Sequence, residues 1–121
     1  MGNLKFQKKY RLSKRTEIES LFSKGKSLKL ASIRVLYTLS QNSTVNKTLF
    51  TVSSKTFKRA IDRNLLKRRM REAYRLNHAK FVIPVKLNLA YIYIAKQLLP
   101  FSEIEKKVVE SLKRLSYEFK D

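Results

Sequence analysis

The 121-residue chain carries 28 Lys and Arg against 9 Asp and Glu, a formal net charge of +19, with 43% hydrophobic residues and no cysteine. That length allows one domain around one modest core, spanning 1–121, and the missing cysteine excludes disulfides and any thiolate metal site. The charge excess strains a compact chain by self-repulsion and favours a nucleic acid or an anionic membrane surface as partner. The basic N-terminus lacks the apolar core of a signal peptide, and the most apolar segment, Leu87–Ala95, is far too short to span a bilayer. Phe6 stands where a myristoylation signal needs Ser or Thr. A soluble, cytoplasmic chain with no membrane partner is expected.

Residues 1–12 mix Phe6 and Tyr10 with Lys5, Lys8, Lys9 and Arg11, which reads equally as a nucleic-acid-touching arm or a disordered terminus. Ser13 or Thr16 is a candidate cap for a short helix to about Ser23, with Ile18, Leu21 and Phe22 as its apolar face and Gly25 as its stop. Ala31–Ser40 alternates as a strand with Ile33, Val35 and Tyr37 on one face. The polar stretch Gln41–Lys47 reads as a hairpin connection to a second strand, Thr48–Ser54. Ser53, Ser54 and Thr56 are candidate caps for a long helix, Phe57–Arg75, whose signal fades at Asn77–His78. Pro84 marks a loop, and Leu87–Ala95, apolar on both faces, reads as a central third strand. Ser102 with Glu105 forms a capping box for a last helix faced by Ile104, Val108, Leu112 and Leu115. The order αββαβα is that of a small α+β sandwich of sheet and helices.

The long helix carries the densest charge. Arg63, Lys67, Arg71 and Arg75 recur every fourth residue and so stack on one face, with Asn64 and Arg68 in the adjoining column. Ile61, Leu65, Leu66, Met70, Ala73 and Leu76 form the opposite side, interrupted by Asp62 and Arg69. Like charges four residues apart repel by a few tenths of a kcal/mol per pair, about 0.2–0.5. Three such pairs in series suit a polyanion better than a merely solubilising face. Arginine's planar fork matches phosphate oxygens. With Asn64 the lone amide, the stripe suits backbone contact more than base reading, so RNA is favoured over DNA. Phe22, Tyr37, Tyr91 and Tyr93 are available to stack on unpaired bases, although such residues more often fill a core.

Groups that break bonds are missing. The one histidine, His78, falls at the end of the basic helix, where it serves more often as a helix-end cation than as a base. Glu17 and Glu19 face different ways, and Glu103, Glu105 and Glu110 read as surface charges. Two glycines, Gly2 and Gly25, cannot build a phosphate loop. Binding rather than catalysis is the expected business of the chain.

Ser54-Lys55 followed by Ala60-Ile61-Asp62-Arg63-Asn64-Leu65-Leu66-Lys67-Arg68-Arg69-Met70-Arg71-Glu72 resembles the signature of the bacterial ribonuclease P protein subunit. Arg11-Leu12, Phe22, Gly25, Val35-Leu36-Tyr37 and Tyr91-Ile92-Tyr93-Ile94-Ala95-Lys96 agree with the same family, so the resemblance covers nearly the whole chain. It implies an αββαβα fold with a left-handed crossover, against the usual right-handed rule. It also implies a protein cofactor for a catalytic RNA that removes the 5′ leader from precursor tRNA, the chemistry being done by Mg2+ held mainly on that RNA. By resemblance, Lys58, Arg59, Arg63, Asn64, Lys67, Arg68, Arg71 and Arg75 bind the catalytic RNA. Ile18, Phe22 and Tyr37, with Lys55 at the basic edge, line a leader cleft between the first helix and the sheet. Two departures stand out: Lys58-Arg59 replaces a frequent Gly-Asn pair, implying an earlier helix start, and Ile18 replaces a usual aromatic. The competing readings are a ribosomal or ribosome-associated structural protein and, remotely, a lone nuclease.

Overall fold

In a computed structural model, the chain is described over residues 8–40 and 44–120; most of the basic arm and the first three residues of the stretch 41–47 lie outside these. The elements are α1 (Arg15–Lys24), β1 (Lys26–Lys29), β2 (Ile33–Leu39), β3 (Lys47–Val52), α2 (Ala60–Asn77), β4 (Leu87–Tyr93) and α3 (Phe101–Glu118). Short 3-10 turns precede α1 and follow α2. The strands form one mixed sheet in the order β1-β2-β4-β3, with β3 parallel to β4 and the other neighbours antiparallel. The α+β class holds, with one strand more than the sequence suggested.

The apolar strand β4 takes the centre because only there are both of its faces covered. Its position corrects the expected hairpin: β2 and β3 are adjacent in sequence but separated in the sheet by β4. The tight antiparallel pair is β1–β2 instead. β1 escaped the sequence reading because, as a short edge strand, it half-buries Leu28 and leaves its other residues exposed.

Register divides the sheet residues into two sets. Ile33, Val35 and Tyr37 of β2, Leu87, Leu89, Tyr91 and Tyr93 of β4, and Phe50 and Val52 of β3 form the main core with α2 and α3. Leu66, Met70, Ala73 and Tyr74 of α2 and Ile104, Val108, Leu112 and Leu115 of α3 complete it. The opposite face carries a smaller cluster in which α1 lays Leu21 and Ile18 over Ala90, Leu36 and Leu49, with Leu12 beside them. The buried side of α2 is thus narrower than its apolar residues suggested: Ile61 and Leu76 are exposed.

The expected side-chain caps do not form. α1 starts after Lys14, α2 after Arg59 and α3 after Pro100, none with a side-chain cap hydrogen bond. Glu105, expected to close a capping box, accepts instead from Asn77 Nδ2 at 3.0 Å, and Arg69 reaches the Leu99 carbonyl at 2.6 Å; both ties join α2 to α3 or its approach. Gly25 does end α1, in extended rather than left-handed backbone. It must be glycine for a steric reason, since a Cβ there would lie 2.3 Å from the Leu21 carbonyl oxygen.

Candidate nucleic-acid interface

The approach to α2 is built by its own first-turn arginine. Ser53 Oγ accepts from the Lys55 N–H at 3.1 Å and the Phe57 N–H donates to the Ser53 carbonyl, closing a turn that buries the Phe57 ring against Tyr93. Arg63 then reaches back, its Nη1 donating to the carbonyls of Phe57 at 2.7 Å and Lys58 at 2.9 Å. Lys58 and Arg59 are exposed in this loop, so the helix does not begin early to carry them. Arg63 therefore shapes the loop as well as adding charge. Arg63→Ala is expected to lower the unfolding free energy by about 1–2 kcal/mol, the range of a charge-assisted bond partly open to water. Urea unfolding checks this, and an unchanged midpoint would remove the structural role.

Arg59, Asn64, Lys67, Arg68 and Arg71 share one groove of about 680 Å³ along the N-terminal half of α2, with Ile61, Asp62 and Leu65. Its single acid is held by Arg59 at 3.8 Å. Arg71 also borders a second cavity of about 320 Å³, facing Arg11 across Thr48 and Phe50 of β3. Burial foremost, and Arg11 next, push the Arg71 guanidinium down from its ordinary range, against the opposing pull of Glu72. An anion entering between the two arginines would relieve that repulsion. Arg75 is less available, being half-buried and bound to Glu72.

The residues named for the other cleft divide between the two faces. Ile18 is half-buried under α1, and Phe22 beside it leaves 49% of its surface exposed. Lys55 is exposed in the turn after β3. Tyr37 does not join them. It lies in the main core on the far face, edge-on to Phe119, and its hydroxyl donates to Glu118 Oε1 at 2.6 Å. Burial and that carboxylate push its pKa up to about 12. Tyr91 and Tyr93 are also core residues, which leaves Phe22 as the exposed member of the four stacking candidates.

On the α1 face, the residue beside Tyr37 takes the position assigned to it: Leu36 lies under α1. The backbone pairs Leu12 with Thr48 at one end of α1, and Gly25 leads straight into β1 at the other, so α1 crosses one half of the sheet. The other half carries a row drawn from all four strands, Lys29, Arg34, Ile92 and Thr51 in continuous register. Sequence reasoning missed Arg34, although the alternation that buries Ile33 and Val35 already turns it outward.

His78 is half-buried and stacks on Tyr74 with ring centroids 4.9 Å apart and planes at 4°. Burial pushes its pKa down, which disfavours the helix-end cation expected, and its ring caps an aromatic cluster.

Fold and site together define a small α+β protein built to meet a polyanion, with a cationic helix groove on one side of its sheet and a half-covered sheet face on the other. The family model described as Ribonuclease P matches residues 6–116. A ribonuclease P protein component from Porphyromonas gingivalis is 33% identical over 118 residues, covering 90% of this chain and 85% of its own. One from Alkaliphilus oremlandii is 31% identical over 109 residues, covering 88% and 90%. The ribonuclease P protein of Thermotoga maritima superposes with a TM-score of 0.73 at 28% identity, covering 86% of this chain and 96% of that one. The chain belongs to the ribonuclease P protein family, the protein components of an endoribonuclease complex with a catalytic RNA.

Proposed function

We propose that this chain is the protein subunit of ribonuclease P, binding the catalytic RNA through the α2 groove and the 5′ leader of precursor tRNA on the α1 side of the sheet. The observation that carries the first half is the convergence of Arg59, Asn64, Lys67, Arg68 and Arg71 on one groove in a chain of net charge +19. For the second half, the support is the half-covered face on which Ile18 and the exposed Phe22 neighbour the row containing Arg34 and Lys29. An unpaired leader offers bases to stack and phosphates to pair, which suits that mixture. Lys55, exposed in the turn after the edge strand β3, is assigned the basic edge of this surface, and Tyr37, in the main core, is not one of its lining residues.

Among the described residues, no group of three or more His, Cys, Asp or Glu side chains is placed to hold a metal ion. In this reading Mg2+ is held mainly by the catalytic RNA. The protein's contribution is electrostatic: an RNA enzyme and an RNA substrate repel, and cations fixed on a folded scaffold between them lower that cost. No described helix is long and apolar enough to cross a membrane, which suits work on cytoplasmic RNA.

Reconstitution with the catalytic RNA tests this. The protein should lower the magnesium concentration needed for half-maximal cleavage of precursor tRNA, several-fold or more, with the effect shrinking as salt rises. Folded protein that leaves the magnesium requirement unchanged would overturn the proposal.

A further inference from the structure

We infer that α3 carries a second contact for unpaired RNA, at the end of the molecule remote from the α2 groove. Lys113, Ser116 and Tyr117, with Lys120 just beyond the helix end, follow the spacing that places side chains on one face. With Phe81 and Val82 from the loop after α2 they line a cavity of about 540 Å³. Ser116 Oγ donates to the Val82 carbonyl at 2.7 Å, pinning that loop to the helix and giving the cavity a fixed wall. α2 is 18 residues long, so this cavity lies about 27 Å along the helix from the start of the basic groove.

The patch has the two components that single-stranded RNA requires. Tyr117 is 79% exposed, and the Lys120 ammonium sits 6.0 Å from its ring centroid, at the weak limit of a cation–π contact. The ring is available for a base. The two lysines are available for phosphates, because the carboxylates of this part of α3 are committed elsewhere. Glu110 binds Lys107 and Arg114, while Glu118 binds Lys26 and the Tyr37 hydroxyl. Among the described residues neither Lys113 nor Lys120 has an ion-pair partner.

An exposed aromatic flanked by unneutralised lysines in a strongly cationic chain favours an unpaired nucleotide stretch over an apolar peptide. The occupant is a single-stranded segment of the catalytic RNA, since α3 packs on the same sheet face as α2 whereas the leader surface is opposite. This assignment of source rests on the function proposed above.

The test measures affinity of the full chain for the catalytic RNA over a range of salt. Tyr117→Ala should weaken it roughly 5- to 100-fold, the range for losing one base–aromatic stack, and Tyr117→Phe should restore it. Lys113→Ala with Lys120→Ala should reduce the slope of log K against log salt by about 1.4, two single-strand contacts; this variant carries the test if Tyr117→Ala fails to fold. Unchanged affinity and slope in folded variants would overturn the inference. So would a defect that appears with precursor leader but not with the catalytic RNA alone. Arg68→Ala separates the two readings. If it weakens binding while the α3 variants do not, only the second contact fails; if it too has no effect, the α2 assignment fails as well.

Discussion

Replacing Lys67, Arg68 and Arg71 together by alanine should weaken association with the catalytic RNA by on the order of 10²-fold at about 0.15 M salt, while leaving the fold intact. The three side chains share the α2 groove and are not needed by the core, whose α2 residues are Leu66, Met70, Ala73 and Tyr74. Taking the B-DNA value, each phosphate contact contributes roughly 0.9 to the slope of log K against log salt, hence about fivefold in affinity between ~0.15 M and ~1 M. Three contacts multiply to the stated loss, lower the slope by about 2.7, and make variant and parent converge near 1 M salt. Folded stability should stay level or rise, because the change removes like-charge neighbours along the helix and the repulsion between Arg71 and Arg11. A binding defect that persists undiminished at high salt would mean that the residues act through shape rather than charge.

Sequence periodicity located this surface because a helix of alternating buried and charged columns announces itself every 3.6 residues. It located β4 as central because LNLAYIY has no polar face to leave in water. It failed where the deciding contact lies outside the local pattern. The α2 entry looked ready for a serine or threonine cap, but Arg63, already inside the helix, shapes that loop with its guanidinium. Glu105 matched a capping box and went instead to Asn77, 28 residues earlier. The expected hairpin between β2 and β3 failed for a related reason: adjacency in sequence predicts pairing only when no later strand gains more by inserting, and β4 buries both faces by doing so. Tyr37 is instructive in another way. Alternation placed it on one face with Ile33 and Val35, whereas family resemblance assigned it to the cleft between the first helix and the sheet; in the structure it stays with Ile33 and Val35, on the face away from α1. Its hydroxyl still finds a partner at Glu118, in the last helical turn, which no local pattern could signal.

Tyr91→Ala should cost about 3–5 kcal/mol, a large share of the stability of a domain whose total is on the order of 5–15 kcal/mol. Tyr91 is fully buried at the centre of β4, stacked on Phe50 of β3 with centroids 5.6 Å apart and edge-on to Tyr74 of α2 at the same distance. Its hydroxyl meets Ser111 Oγ of α3 at 2.8 Å, and Ser111 in turn bonds the Val108 carbonyl at 2.6 Å. One side chain thus joins the two parallel strands, the helix that crosses between them and the last helix. Removing the ring leaves a cavity that β4 cannot close without pulling away from β3. Tyr91→Phe keeps the ring and removes only the hydroxyl, and Ser111 retains Val108 as a partner, so the cost should be about 0.5–1.5 kcal/mol. The contrast between the two in urea unfolding separates packing from hydrogen bonding. RNA affinity supplies an independent check, because Tyr91 touches no exposed surface. Tyr91→Phe should bind the catalytic RNA like the parent, and Tyr91→Ala should lose affinity only in proportion to the fraction unfolded. Its binding should recover when the chain is refolded by stabilising osmolyte, whereas a loss that outlasts recovery of the fold would show that β4 sets the position of α2 and not merely its presence.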